Sequence, residues 1–274
     1  MAVAGASALV SHCQAGAHAS RVVEATFKLY NADSTSACFL VRTPEPQPGL
    51  WLVTSAHTVE TTKGETAVLV LRKPEEDGSF SRRDHTIAVR KDEQPLWHRH
   101  ATEDIAVLRL EEPLPVDVNA IPEDWLAVHA DLAGLDIHVG SPLLVLSYPH
   151  RFEANSAGFP VARSGIFASP PRLPVASQPT YLANFDTFAG DSGAPVFIAQ
   201  APEQPLIVGM VIAQIHHNET INGPSEDRVI RHPLNLGKVL HAEFIRQTLA
   251  SAVSTGNRNE AEAEPVPEAQ PDAG

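Results

Sequence analysis

Asn184-Phe-Asp-Thr-Phe-Ala-Gly-Asp-Ser-Gly-Ala-Pro-Val-Phe197 sets a serine on a tight, glycine-flanked bend between two apolar runs. Its centre, Gly190-Asp-Ser-Gly193, makes Ser192 a candidate nucleophile. A serine hydroxyl attacks poorly at neutral pH, so it needs a histidine to take its proton and a carboxylate to orient that histidine. Both types stand upstream. Leu50-Trp-Leu-Val-Thr-Ser-Ala-His57 is a strand-like run closing at His57, and Asp104 opens the alternating run Asp104-Ile-Ala-Val-Leu-Arg-Leu110. The chain order is therefore His57, Asp104, Ser192.

Singly, such a serine bonds its own backbone, and a histidine or aspartate is a satisfied core residue or a surface charge. Jointly they outweigh those separate readings. The segments Thr54-Ser-Ala-His57, Asp104-Ile-Ala-Val-Leu108 and Gly190-Asp-Ser-Gly-Ala-Pro195 resemble, in order and separation, those of the trypsin/chymotrypsin family of serine peptidases, the bacterial members most closely. The resemblance covers residues 22 to 240. It implies an all-β fold of two six-stranded antiparallel barrels packed face to face, with a closing C-terminal helix and the active site in the cleft. It also implies a serine-type endopeptidase acting through an acyl-enzyme on polypeptide substrates, without cofactor or metal. Ser192 is then the nucleophile, His57 the general base and acid, and Asp104 the residue that orients the imidazole. The backbone N–H groups of Gly190 and Ser192 supply the oxyanion hole.

Asp191 needs a cationic partner if it is buried. Animal members of the family pair the matching carboxylate with a new N-terminus, which cleavage after Arg21 would create at Val22. Against that, Val22 to Tyr30 reads as a strand. Val161-Ala-Arg-Ser-Gly165 resembles the Arg-Ser-Gly segment of the streptogrisin group, whose arginine makes the pairing internally, and this favours Arg163. A surface arginine is the alternative.

The substrate pocket is read from Asp186, Thr187 and Val211-Ile-Ala-Gln214. Asp186 matches the floor of the primary pocket in trypsin, implying cleavage after Arg or Lys, or else it turns inward to bond backbone. Thr187 resembles the glutamate-specific subgroup, but Val211 stands where that subgroup has a histidine. Ile212 replaces a serine that donates to the triad carboxylate, and Gln214 replaces a glycine that opens the pocket mouth. These departures motivate a second reading, a weak or inactive relative that binds extended peptides in the same cleft.

The 274 residues, 43% of them hydrophobic, suffice for two ordinary cores. Few aromatics and 23 prolines suit short strands and many turns. The net charge of −13 argues against a nucleic-acid backbone or an anionic membrane as partner. Cys13 and Cys38 are the only cysteines, read as two unpaired thiols, as in a reducing or bacterial setting. No lysine or arginine precedes the weakly apolar Ala2 to Val10, so the reading leans to a cytoplasmic protein without an export signal. His98-Arg-His100 and His216-His217 are read as exposed loops, because no carboxylate or cysteine completes a metal set.

In order, the chain reads as a mobile extension (1–21), a first barrel (22–116), a linker (117–136), a second barrel (137–235), a helix (236–254) and a disordered acidic tail (255–274). The first barrel takes strands at 22–30, 38–41, 50–54, 66–71, 85–90 and 105–110. The second takes them at 141–148, 161–167, 181–185, 195–198, 206–212 and 228–230. The helix rests on two rows of apolar positions, Leu236, Leu240 and Phe244 beside His241, Ile245 and Leu249. The tail, with five carboxylates and one arginine, has too little apolar surface to offset ordering, with an acidic docking segment as the alternative.

Overall fold

The computed structural model describes residues 19–199, 204–222 and 227–263. Most of the proposed extension, with Cys13, and the last part of the acidic tail lie outside them. Residues 19–24 form a short helix, α1. There follow β1 (Thr26–Tyr30), β2 (Thr35–Thr43), β3 (Gly49–Thr54), α2 (Ala56–Thr61), β4 (Thr66–Pro74) and β5 (Phe80–Ala88). Three two-residue strands, β6 (Arg90–Lys91), β7 (Gln94–Pro95) and β8 (His98–Arg99), precede β9 (Ala106–Arg109). After β10 (Ile121–Pro122) and α3 (His129–Gly134) come β11 (Pro142–Ser147), β12 (Val161–Phe167), β13 (Thr180–Asn184) and β14 (Pro195–Ile198). The chain continues as β15 (Leu206–Asn222), β16 (Asp227–His241) and α4 (Ala242–Ala263).

The later strands close into a six-stranded barrel, β11-β12-β13-β16-β15-β14. The earlier ones form an eight-stranded sheet along the path β5-β4-β1-β2-β3-β9-β8, with β10 added parallel to β2. No ladder among the described residues joins β5 to β8, so this half is not the closed six-stranded barrel expected for residues 22–116. The reason is local. Asp92 and Glu93 turn with positive φ between β6 and β7, Pro95 lacks a donor, and β8 is too short to pair along a second edge.

Val22 to Glu24 belong to α1 rather than to the first strand. The Thr26 hydroxyl donates to the Val22 carbonyl at 2.8 Å, so β1 starts only after a helical turn. Residues 236–241 are the end of β16 rather than the start of the helix. Their pairing with β13, from Thr180 opposite Leu240 to Asn184 opposite Leu236, closes the barrel and overrides the helical spacing. The helix begins at Ala242 and continues through residues 255–263, which were assigned to the disordered tail. Its buried row, Phe244, Ile245, Thr248, Leu249 and Ala252, has the i, i+4, i+8 spacing of an amphipathic helix.

One core is shared by both halves. Phe39, Val41, Trp51, Ile105 and Val107 of the first sheet pack with Leu146, Phe197, Ile207, Met210 and Leu240 of the barrel and with Ile245 and Leu249 of α4. Each fully buried side chain of this kind contributes on the order of 1.5–3 kcal/mol. This shared packing sets the edge of the first sheet against the mouth of the barrel.

Candidate active site

The ladder between β3 and β9 decides where the first two candidates meet. Thr54 lies opposite Ala106, so the chain three residues beyond Thr54 and the chain two residues before Ala106 leave the sheet at the same end. His57, on the short α2, and Asp104 therefore face each other across that end. The Asp104 carboxylate accepts the His57 backbone N–H at 2.9 Å through Oδ1, and its Oδ2 lies 2.6 Å from His57 Nδ1.

Ser192 arrives from the barrel. Its carbonyl accepts from Ala37 N at 2.9 Å, while Gly193 N donates to Val211 O and Val211 N to Ala194 O, at 2.9 and 3.0 Å. The bend is thus stapled to β2 on one side and β15 on the other. Gly193, at φ +82°, approaches so closely that a Cβ would lie 2.1 Å from the Ala37 oxygen. Gly190, at φ +99°, likewise has no room, because a Cβ would meet the Tyr148 oxygen at 2.2 Å. The resulting position of Ser192 puts Oγ 3.0 Å from His57 Nε2.

Burial raises the Asp104 pKa, but the hydrogen bonds from the His57 ring and backbone, with the charges of His57 and Arg99, outweigh it and leave the carboxyl below its usual range. An ionised carboxylate only accepts, so Nδ1 of His57 carries the proton and Nε2 is left to accept the Ser192 hydroxyl. Beside Ser192 two donors are unused. The N–H groups of Gly190 and Ser192 donate to no acceptor among the described residues.

Asp191 is 1% exposed. Its Oδ1 accepts from Ser147 Oγ at 2.7 Å and from Arg163 Nη2 at 2.5 Å, and its Oδ2 accepts from Phe188 N at 2.8 Å. Arg163, on β12, also donates through Nη1 to the Asp186 carbonyl. Val22 is inside α1 with its side chain buried. Ser147 escaped sequence reasoning, since a serine ending an apolar run carries no local sign that its hydroxyl faces a carboxylate 44 residues away.

The substrate-pocket residues are dispersed in character. Asp186 is exposed. Thr187 and Val211 are buried, and Thr187 Oγ1 has no hydrogen-bond partner among the described residues. Ile212 packs against the shared core and offers Asp104 no side-chain donor, so among the described residues Asp104 accepts hydrogen bonds from His57 alone. Gln214 is half-buried, with Nε2 buried and unpartnered. Arg99, whose charge acts on Asp104, was not among the expected site residues, although a cation so near Asp104 is a signal the sequence carries. His98 and His100 are not free loop residues: His98 Nε2 lies 3.1 Å from Ser251 Oγ on α4, and His100 packs edge-on against Phe244. Cys38 is a buried free thiol, with burial pushing its pKa well up.

A closed antiparallel barrel and a second sheet meet at a Ser-His-Asp cluster, the arrangement of a chymotrypsin-like fold. Among solved structures, the chain is similar to the thermostable serine protease AL20 of an extremophilic microorganism, with a TM-score of 0.51, 12% identity, and coverage of 86% of this chain and 99% of that one. It is also similar to the inactive form of the Rv3671c protease, with a TM-score of 0.44, 15% identity, and coverage of 87% and 94%. An inactive-form mutant of Rv3671c from M. tuberculosis gives 0.46, 16%, and 90% and 91%. At 12% identity the likeness to AL20 is one of fold. No protein-family model and no curated protein sequence matches the chain.

Proposed function

We propose that the chain is a serine endopeptidase that cleaves peptide bonds through Ser192, His57 and Asp104. The observation that carries this reading is the continuous hydrogen-bonded row from Asp104 through His57 to Ser192, with two unused backbone donors beside the hydroxyl. Ser192 Oγ attacks the scissile carbonyl carbon as its proton passes to His57 Nε2, and Asp104 stabilises the imidazolium. The oxyanion is received by the N–H groups of Gly190 and Ser192, each worth about 10² to 10³ in turnover. The C–N bond then breaks as His57 returns the proton to the departing amine. Water, deprotonated by the same nitrogen, releases the acyl group and restores Ser192.

The same reading takes the N-terminal sheet as the counterpart of the C-terminal barrel, the two walling one cleft. It also takes Arg163 as the internal cation that holds Asp191, and hence the Gly190–Ser192 bend, without a processing step. The pairing at 2.5 Å supports this role. The second reading, a peptide-binding relative with little turnover, draws on Ile212, which leaves Asp104 one donor short of the pattern that its serine counterpart implies.

Labelling with a fluorophosphonate, which traps an activated serine, separates the two. Covalent labelling of the purified chain that is lost in Ser192→Ala is the expected result. A well-folded chain that binds peptides but neither labels nor cleaves would leave the peptide-binding reading standing.

A further inference from the structure

The loop after β11 is strained where it meets the serine bend, and the residue that holds it comes from the other half of the molecule. His150 and Arg151 are consecutive non-glycine residues at φ +48° and +69°. A side chain disfavours this left-handed conformation, so two in succession persist only where neighbours enforce them. His150 N donates to the Ala189 carbonyl at 2.7 Å, and the His150 ring lies 5.3 Å from that of Phe188. One residue on, a Cβ at Gly190 would stand 2.2 Å from the Tyr148 oxygen and 3.7 Å from His150 N. The backbone from Tyr148 to His150 thus limits where the Gly190 peptide can lie.

What enforces the turn comes from β1. Lys28, 8% exposed, donates through Nζ to the Arg151 carbonyl at 2.9 Å and to Glu153 Oε1 at 2.7 Å. A buried ammonium needs its donors met, so these bonds fix its place. Glu153 does not depend on Lys28 alone, because Arg82 of β5 donates to both of its oxygens, at 2.7 and 2.6 Å. Arg82 is itself paired with Asp84, which accepts from the Tyr30 hydroxyl. Arg72 also reaches this loop, but at Gly158 O, beyond the strained residues. Among the described residues, Lys28 is the one side chain hydrogen-bonded to the backbone of the His150–Arg151 turn.

We propose that Lys28 is a positioning residue for the oxyanion site: its ammonium holds the strained His150–Arg151 turn against Ala189 and thereby fixes the Gly190 peptide beside Ser192. The half that carries His57 and Asp104 then also sets a donor in the half that carries Ser192. This inference rests on the proteolytic reading, in which the Gly190 N–H receives the oxyanion, and the experiment tests that reading separately.

Lys28→Met keeps the apolar stem and removes the charge, and Arg82 still pairs Glu153, so no carboxylate is stranded. Turnover of a peptide p-nitrophenyl ester is measured per active site, counted by fluorophosphonate labelling. Both kcat and kcat/KM should fall by at least about tenfold with KM unchanged, since what is lost is transition-state stabilisation. Adding His150→Gly and Arg151→Gly to Lys28→Met should restore kcat to within about threefold of wild type, because glycine takes positive φ without strain. Two glycines would not recover a merely structural loss. Arg82→Met, which removes a partner of Glu153 but leaves the bond to Arg151, should stay within about twofold of wild type. Should Lys28→Met fail to fold, Lys28→Gln, one bond shorter, is read with and without the glycines in the same way. A Lys28 variant with wild-type kcat, a loss that the glycines leave in place, or an equal fall in Arg82→Met overturns the positioning role, while wild-type labelling upholds the proteolytic reading. A wild type that neither labels nor cleaves overturns both.

Discussion

Two aspartates stand near Ser192, one beside it in the chain and one reached through His57, and their surroundings are opposite. Asp191 is sealed in the barrel wall, at 1% exposure, and its two oxygens accept from a hydroxyl, a guanidinium and a backbone N–H. Asp104 sits at the open end of the first sheet, 27% exposed, and accepts from one residue, His57. A buried carboxylate is tolerated only when its lone pairs and charge are met, and such a site is rigid. A half-exposed one keeps its charge with fewer partners and remains able to respond when a neighbouring imidazole is protonated. On the proposed reading, Asp191 shapes the bend and Asp104 takes part in the chemistry.

The largest effect should come from the sparsely held carboxylate. Asp104→Asn replaces an acceptor-only group by one that can donate, so His57 is free to take the wrong tautomer. The expected loss is about 10⁴ in kcat with the fold intact, as when this change is made in other Ser-His-Asp enzymes. Steady-state rates on a peptide ester with circular dichroism as control would measure it, and a loss of less than tenfold would detach Asp104 from the chemistry.

Arg163→Ala acts on the other carboxylate. It leaves Asp191 buried without its cation, a change that costs about 3–5 kcal/mol in comparable settings. Denaturant unfolding should show that loss, and fluorophosphonate labelling should fall with it because the Gly190–Ser192 bend loses its anchor. Undiminished stability and labelling would mean that Asp191 is held by Ser147 and Phe188 alone.

A buried imidazole completes the series. His241 is 3% exposed, with its ring against Tyr181. Burial, aided by nearby His129, pushes its pKa down to about 4 from an ordinary 6.5. The unfolded chain therefore takes up a proton between those values while the folded chain does not. The stability from neutral His241 is complete above about pH 6.5 and is lost as the pH falls towards 4, by up to about 3 kcal/mol. Urea unfolding at pH 7 and pH 4 should show this loss in the wild type and a smaller one in His241→Phe, and equal losses in both would contradict it.

Much of the candidate site was legible because its members sit on short motifs whose chemistry is local. A serine between glycines, a histidine after a small-residue turn and an aspartate opening an alternating strand each carry their own signal. The Arg163 pairing was legible only through a family resemblance, and Ser147 not at all, since a hydroxyl meeting a distant carboxylate leaves no periodicity. The strands of the barrel were placed closely, except that β15 continues past residue 212 to Asn222 and except at the last member. There the spacing of Leu236, Leu240 and Phe244 suited a helix, and only pairing with β13 made residues 236–241 a strand.

The order of His57, Asp104 and Ser192, the strand-rich class and the two glycines of the serine bend were determined by the sequence itself, because residue type and hydrophobic period act over a few neighbours. Tertiary structure alone decided that the first sheet stays open, that Asp104 meets His57 across the end of the β3–β9 ladder, and that Ser147 and Arg163 converge on Asp191. Each of these depends on strand register and on the burial it imposes between residues far apart in the chain, and those are set only when the whole core packs.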